Sequence, residues 1–162
     1  MYDLSNFTGE VVETIDAPAE VIWDLLADLS QTPRLNRETV ETVWIPPSTR
    51  WEPGATFRAT NRVGTMEWTV ECHVTVAARP TELGWTVLDP ESPSSTWWYR
   101  LTPEPGGATR VRHGFQHGPS VSGVRMMIDR EPHRAEEIVA GRIEMLTSNM
   151  RHTIEQVRAL VG

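Results

Sequence analysis

Apolar residues recur near the end of the chain as Val139, Ile143, Leu146, Met150, Ile154, Val157 and Val161. The steps alternate between three and four, so these positions wind one stripe along an amphipathic helix. The pattern predicts a helix over Pro132 to Val161, roughly 43 Å long at about 1.5 Å per residue. That length crosses a small domain. Beside the stripe stands a mixed shoulder of Arg142, Met145, Asn149, Thr153 and Gln156. Upstream the period changes. Between about Val40 and His117 apolar and polar residues alternate, which reads as strands.

In chain order, Thr8 to Ile15 is a first strand. Pro18 and Glu20 suit a helix start, and Val21, Ile22, Leu25, Leu26 and Leu29 form the helix's apolar face. A second short helix is expected at Thr32 to Leu35. Strands follow at Thr39 to Ile45, Thr56 to Val63, Met66 to Ala77, Leu83 to Leu88, Thr96 to Leu101 and Thr109 to His117. They are punctuated by the loop Pro46 to Gly54, by Gly64 and Pro80, by the loop Asp89 to Ser95, and by the turn Pro103 to Gly107. Gly118 to Glu131 reads as an irregular connector with a short helix near Val124 to Ile128. Short connections imply an antiparallel meander, and helices segregated from it imply an α+β fold. The expectation is a curved seven-stranded antiparallel sheet wrapped around the long C-terminal helix, with two short helices between strands 1 and 2. Residues 1–162 make a single domain of ordinary size.

Strand parity then sorts side chains. Met66, Trp68, Val70, Cys72, Val74 and Val76 share one face of the longest strand and belong inside. The same test turns Phe57, Ala59 and Asn61 inward, then Leu83, Trp85 and Val87, then Trp97, Tyr99 and Leu101, and finally Val111, His113 and Phe115. Trp98 and Arg100 point outward. The inner surface is aromatic and apolar with a few polar groups, which is the composition of a small-molecule site. An ordinary core is the alternative, but a dry core buries Asn, His and Tyr only where they pair or meet water.

Composition narrows the functions. The net charge of -7 argues against nucleic acid and anionic membrane surfaces. One cysteine, Cys72, closes no disulfide and no cysteine-based zinc site. No apolar run approaches the roughly 18 residues of a membrane span, and no leader pattern opens the chain. The expected location is cytoplasmic, as a monomer or homodimer.

Several segments carry a family resemblance. Ile15-Asp-Ala-Pro18 through Trp23 and Leu25 to Asp28, Gly54 to Arg62, Glu67 to Val74, Pro80 to Trp85, Trp97 to Leu101 and Gly107 to Val111 resemble the START-like, helix-grip (SRPBCC) superfamily. Within it they resemble the bacterial polyketide cyclase/dehydrase-like proteins. The likeness covers nearly the whole chain. Two departures are Leu35-Asn36, where the family often has a Trp, and a connector longer than usual that carries Met126 and Met127. The resemblance implies a deep cavity between sheet and helix, its mouth bordered by Val63 to Thr65, Asp89 to Ser95 and the connector. It also implies a lipid, sterol, polyketide or other hydrophobic ligand, with cyclisation or dehydration in some members.

His113 and His117 do not form a metal pair, because four residues of strand span about 13 Å. His133 and His152 stand 19 residues apart on one helix and are no better a pair, and no cofactor motif is present. For acid–base work the candidate pair is His113 with Tyr99, an imidazole beside a phenol; a satisfied buried histidine is the other reading. Arg142 or Asn149 would orient a ketone oxygen. The candidate ligand contacts are Asn61, Trp68, Cys72, Trp85, Trp97, Tyr99, His113, Phe115, Arg142, Met145 and Asn149. The exposed row Arg58, Arg62, Arg110 and Arg112 reads as a solvated face paired with Glu67 and Glu71. Three functions remain open: a binder of a hydrophobic small molecule, a cyclase/aromatase or dehydratase, and a protein-interaction module of the co-chaperone kind.

Overall fold

The computed structural model describes all 162 residues. The alternating segments become β1 (Thr8–Ile15), β2 (Thr39–Trp44), β3 (Thr56–Val63), β4 (Met66–Ala78), β5 (Glu82–Val87), β6 (Ser95–Pro103) and β7 (Thr109–His117). Between β1 and β2 lie α1 (Ala19–Ala27), a 3-10 turn and α2 (Thr32–Leu35). After β7 come α3 (Gly123–Arg130), a second 3-10 turn at Pro132–Arg134, and α4 (Ala135–Val161). The sheet order is β1-β7-β6-β5-β4-β3-β2, with every pair antiparallel. It is a meander whose last strand is joined by β1. The 27 residues of α4 give an axis of about 40 Å. No helix is long and apolar enough to cross a membrane.

One end of the sheet is sealed. Leu83, Leu101 and Val111 are almost wholly buried there, and α1 lies across them. Its buried face is Ala19, Ile22, Trp23 and Leu26, spaced three, four and seven apart as a helix stripe requires. Trp23 donates its indole N–H to the Glu82 carbonyl at 2.9 Å. Thr109 donates its hydroxyl to the Ala17 carbonyl at 2.7 Å. The C-terminal half of α4 completes this core with Met150, Thr153, Ile154 and Val157. Both α1 and α2 touch α4, as supports for it.

Three expected positions change. Val21 is 45% exposed, because Trp23 rotates the buried stripe of α1 by one position. Met66 is 67% exposed, as the first residue of β4 beside the hairpin turn. Val76 leaves the inner face because β4 bulges. Val74 opposes Trp85 but Val76 opposes Gly84, so Thr75 is an extra residue and the faces exchange beyond it. Ala77, opposite Leu83, takes the inward place. A β-carbon on Gly84 would lie 3.1 Å from Val76 Cβ, which puts Val76 on the outer face.

That outer face holds Trp98 in a clasp. Its indole N–H donates to Glu10 Oε2 at 2.9 Å, and Arg100 lies 4.8 Å over its ring. Glu10 also takes Arg112 at 2.9 Å, so Arg112 pairs with β1 rather than with the β4 carboxylates. Arg62 does pair with Glu67, at 2.8 Å. Trp98 is therefore a packed outer-face residue, not a bare partner surface. Its indole lies where a β-carbon on Gly114 would stand. We predict that Gly114→Ala costs roughly 1–3 kcal/mol by overpacking, read from urea unfolding, and that Trp98→Ala in the same chain recovers part of that loss.

Candidate functional site

Burial along the inner face is graded. Leu83, Leu101 and Val111 at the sealed end have 1–2% of their surface exposed, as do Cys72 and Val74, which lie level with Val87 and Trp85. Towards the other end Trp68, Val70, Trp85, Val87 and Trp97 are only half-buried, although they face the helix. The α4 stripe behaves in the same way: Val139, Ile143 and Leu146 are half-buried and Met150, Ile154 and Val157 are sealed. Inward side chains that keep accessible surface on both walls mean unfilled space between them. This half-buried end of the space between α4 and the β3–β7 face is the candidate cleft.

The strand ladder arranges one wall as a row of rings. Trp85 opposes Trp97, which opposes Phe115, and Tyr99 opposes His113. Trp85 and Trp97 stack with centroids 6.1 Å apart, and Trp97 meets Phe115 at 5.1 Å. Tyr99 stacks face to face on His113 at 3.9 Å and 13°. Asn61 and Trp68 face one another further along the sheet.

His113 Nδ1 lies 2.9 Å from the Trp98 carbonyl. A carbonyl only accepts, so Nδ1 carries the proton and Nε2 presents a lone pair. Burial pushes the imidazole down to about 4, so the ring is neutral at neutral pH. Burial pushes the Tyr99 phenol above its usual range, so it stays a hydrogen-bond donor. Arg125 Nε is the one side-chain nitrogen or oxygen that is both fully buried and unpartnered. His113 Nε2 and Tyr99 Oη make no hydrogen bond within the chain, although both side chains are buried. Cys72, its thiol pushed up to about 12 by burial, is a small apolar filler between Phe57 and Val87.

Arg142 and Asn149 do not stand free. Arg142 grips Glu38 with both terminal nitrogens, at 2.6 and 2.8 Å. Asn149 Nδ2 donates to Glu38 Oε2 at 2.9 Å. This knot ties α4 to the start of β2, the far edge of the sheet, and closes the curl around the helix. Sequence reasoning missed Glu38. The available signal was an Arg and an Asn seven residues apart on one helical shoulder, which together call for a half-buried acceptor. Asn61 Oδ1 accepts from Thr39 at 2.8 Å, and its amide nitrogen is unused within the chain. Met145 is 43% exposed, with its sulfur 3.1 Å from Arg142 Nη1. The ladder thus brings Trp85, Trp97, Tyr99, His113 and Phe115 together, while Arg142 and Asn149 form a second group and Met145 stays at the surface.

The connector after β7 is fastened to the β5–β6 loop. Gly118 N donates to Ser94 O at 2.8 Å and Ser120 N to Pro93 O at 3.1 Å. Val124 and Ile128 of α3 are buried, and Met126 and Met127 are half-exposed. A separate hollow of about 570 Å³ lies beneath α1, lined by Trp23, Trp44, Trp51 and Ala77 with Asp24, Asp28 and Glu52 among the polar residues. Trp51, which lines it, also packs edge-on against Trp85 of the ring row. No group of three His, Cys, Asp or Glu side chains is placed to hold a metal ion.

Comparisons with known proteins agree with this architecture. The family model described as polyketide cyclase / dehydrase and lipid transport matches residues 7–155. No curated protein matches the sequence. Among solved structures, a polyketide-cyclase-like protein of Corynebacterium glutamicum is 23% identical, with a TM-score of 0.66 over 95% of this chain and 91% of that one. The Zhui aromatase/cyclase from a Streptomyces species is 17% identical, with a TM-score of 0.70 over 94% and 91%. A protein of Mycobacterium smegmatis is 19% identical, with a TM-score of 0.63 over 99% and 94%. At these identities the likeness is one of fold, the helix grip.

Proposed function

Because the chain belongs to the polyketide cyclase / dehydrase and lipid transport family, we propose that it binds a hydrophobic, ring-bearing small molecule in the cleft between sheet and α4. The observation that carries this reading is the aromatic wall ending in two unsatisfied polar atoms, His113 Nε2 and Tyr99 Oη. Indole faces at Trp85 and Trp97 suit a planar apolar body. The free imidazole lone pair accepts from a ligand hydroxyl, and the phenol donates to a ligand carbonyl. An aromatic or polyketide-type molecule carrying both groups satisfies the site.

A second reading uses the same pair as a catalyst. His113 would take a proton from carbon next to a bound ketone, and Tyr99 would donate a hydrogen bond to the enolate. Burial weighs against it, since a pKa near 4 makes the imidazolium costly at neutral pH. Binding without turnover is the better-supported function. The interaction-module reading draws nothing from Trp98, which its own sheet covers.

The test is native mass spectrometry of the purified protein with organic extraction, followed by tryptophan-quenching titration with the extracted molecule or with a hydroxylated anthraquinone. We expect saturable quenching. Trp97→Ala should weaken binding about tenfold, roughly 1.4 kcal/mol. Equal affinity in Trp97→Ala, or no binding of any ring-bearing ligand, would overturn the proposal.

A further inference from the structure

The end of β7 and the start of α3 bring a serine onto a histidine. Ser122 Oγ lies 2.7 Å from His117 Nε2, and His117 Nδ1 lies 2.6 Å from the Gly118 carbonyl. The carbonyl can only accept, so Nδ1 holds the proton and Nε2 accepts from the Ser122 hydroxyl. That is the order nucleophile, base, orienting acceptor, with a peptide carbonyl in the orienting place. Burial, together with the charge of Arg125, holds His117 below the usual imidazole range, which leaves it a free base at neutral pH.

The surroundings also fit acyl chemistry. Ser122 is half-buried rather than sealed, and nothing lies within 4 Å of where a β-carbon on Gly123 would stand. The residue next to the serine is therefore exposed and uncrowded. Ser122 is the N-cap of α3, its oxygen accepting from Arg125 N at 3.0 Å. The Gly123 and Val124 N–H groups have no acceptor in the chain, as expected for the first turn of a helix. They offer donors next to the reacting oxygen, at the positive helix end.

We propose that Ser122 and His117 form a nucleophile–base dyad that hydrolyses carboxylic esters. The inference stands apart from the ligand reading, since the dyad lies outside the Tyr99–His113 pair. The Ser122 oxygen attacks the ester carbonyl carbon while its proton passes to His117 Nε2. The carbonyl oxygen becomes an oxyanion stabilised by the free N–H groups. On collapse the carbon–oxygen bond to the alcohol breaks, and the alcohol leaves with the proton from His117. Water, deprotonated by the same nitrogen, then cleaves the acyl-serine. This releases the carboxylic acid and restores the serine.

The experiment treats the full-length protein with an alkyl fluorophosphonate and reads intact mass and peptide fragments. The dyad predicts one phosphonyl adduct, on Ser122, with fluoride displaced. His117→Gln should label at least about a hundredfold more slowly. Ser122→Asn keeps a good N-cap and so keeps α3 folded, yet has no nucleophile. It should lose the adduct and at least about nine-tenths of any p-nitrophenyl butyrate hydrolysis. Absence of the adduct from folded wild-type protein, or hydrolysis equal in Ser122→Asn, would show the pair to be a structural clasp and overturn the proposal.

Discussion

Trp51→Ala should lower the free energy of unfolding by about 3–5 kcal/mol, the range for truncating a buried Trp, although Trp51 belongs to a loop rich in proline, serine and glycine. The side chain is 9% exposed. It packs edge-on against Trp44 at 6.3 Å and Trp85 at 5.7 Å, and tilts against Phe57 at 5.7 Å. Its indole N–H donates to the Val76 carbonyl at 2.9 Å, at the bulge where β4 exchanges its faces. The loop is anchored around it by Gly54 N on Val74 O at 2.9 Å and Thr56 N on Ser48 Oγ at 3.0 Å. Urea unfolding by circular dichroism measures the effect. Trp51→Phe keeps a ring but strips the Val76 carbonyl of its donor, so it should cost less than alanine, roughly 1–3 kcal/mol. A loss below about 1 kcal/mol in the alanine variant would show the loop to be peripheral.

The expectation for Trp51 marks where sequence periodicity stops being informative. The bounds of β3 and β7 follow directly from alternation between glycine and proline punctuation, because a half-buried strand must repeat every two residues. The same parity puts Trp85, Trp97, Tyr99, His113 and Phe115 on one face, so the ring row was legible as a set. A loop has no period, so an inward Trp51 leaves no trace in the pattern. The bulge at Thr75 is a one-residue event that mean alternation averages away, and Val76 was misplaced for that reason. Glu38 escaped for a different reason. Its partners Arg142 and Asn149 are more than a hundred residues distant, and only the curl of the sheet brings them within 3 Å. Ser122 and His117 meet because the chain turns between them, and that turn has no motif. What the sequence conveys well is which face a residue takes. It conveys poorly which residues from separate elements meet.

His113 should make the protein acid-sensitive by about 3 kcal/mol. Its folded pKa is about 4 against an ordinary 6.5, and each unit corresponds to about 1.36 kcal/mol. The unfolded chain binds the extra proton between those values, so stability rises with pH across that window. The contribution is fully present above pH 6.5 and is lost as pH falls towards 4. His117, also lowered by burial, acts in the same direction and remains in any His113 variant. The measurement is urea unfolding of wild type and His113→Leu at pH 7 and pH 4.5. Leucine loses the bond to the Trp98 carbonyl and should be less stable at pH 7. The gap between the two proteins should narrow by roughly 2–3 kcal/mol at pH 4.5, most of the full pKa displacement at about 1.36 kcal/mol per unit. A constant gap would mean that water reaches the ring and that His113 titrates as an ordinary imidazole. That outcome would also change the chemistry open to the cleft. A ring held neutral accepts a hydrogen bond from a bound hydroxyl and resists keeping a proton, as a binding site requires. A ring titrating near 6.5 could hold and return a proton at neutral pH, and the Tyr99–His113 pair would then be equipped for enolisation.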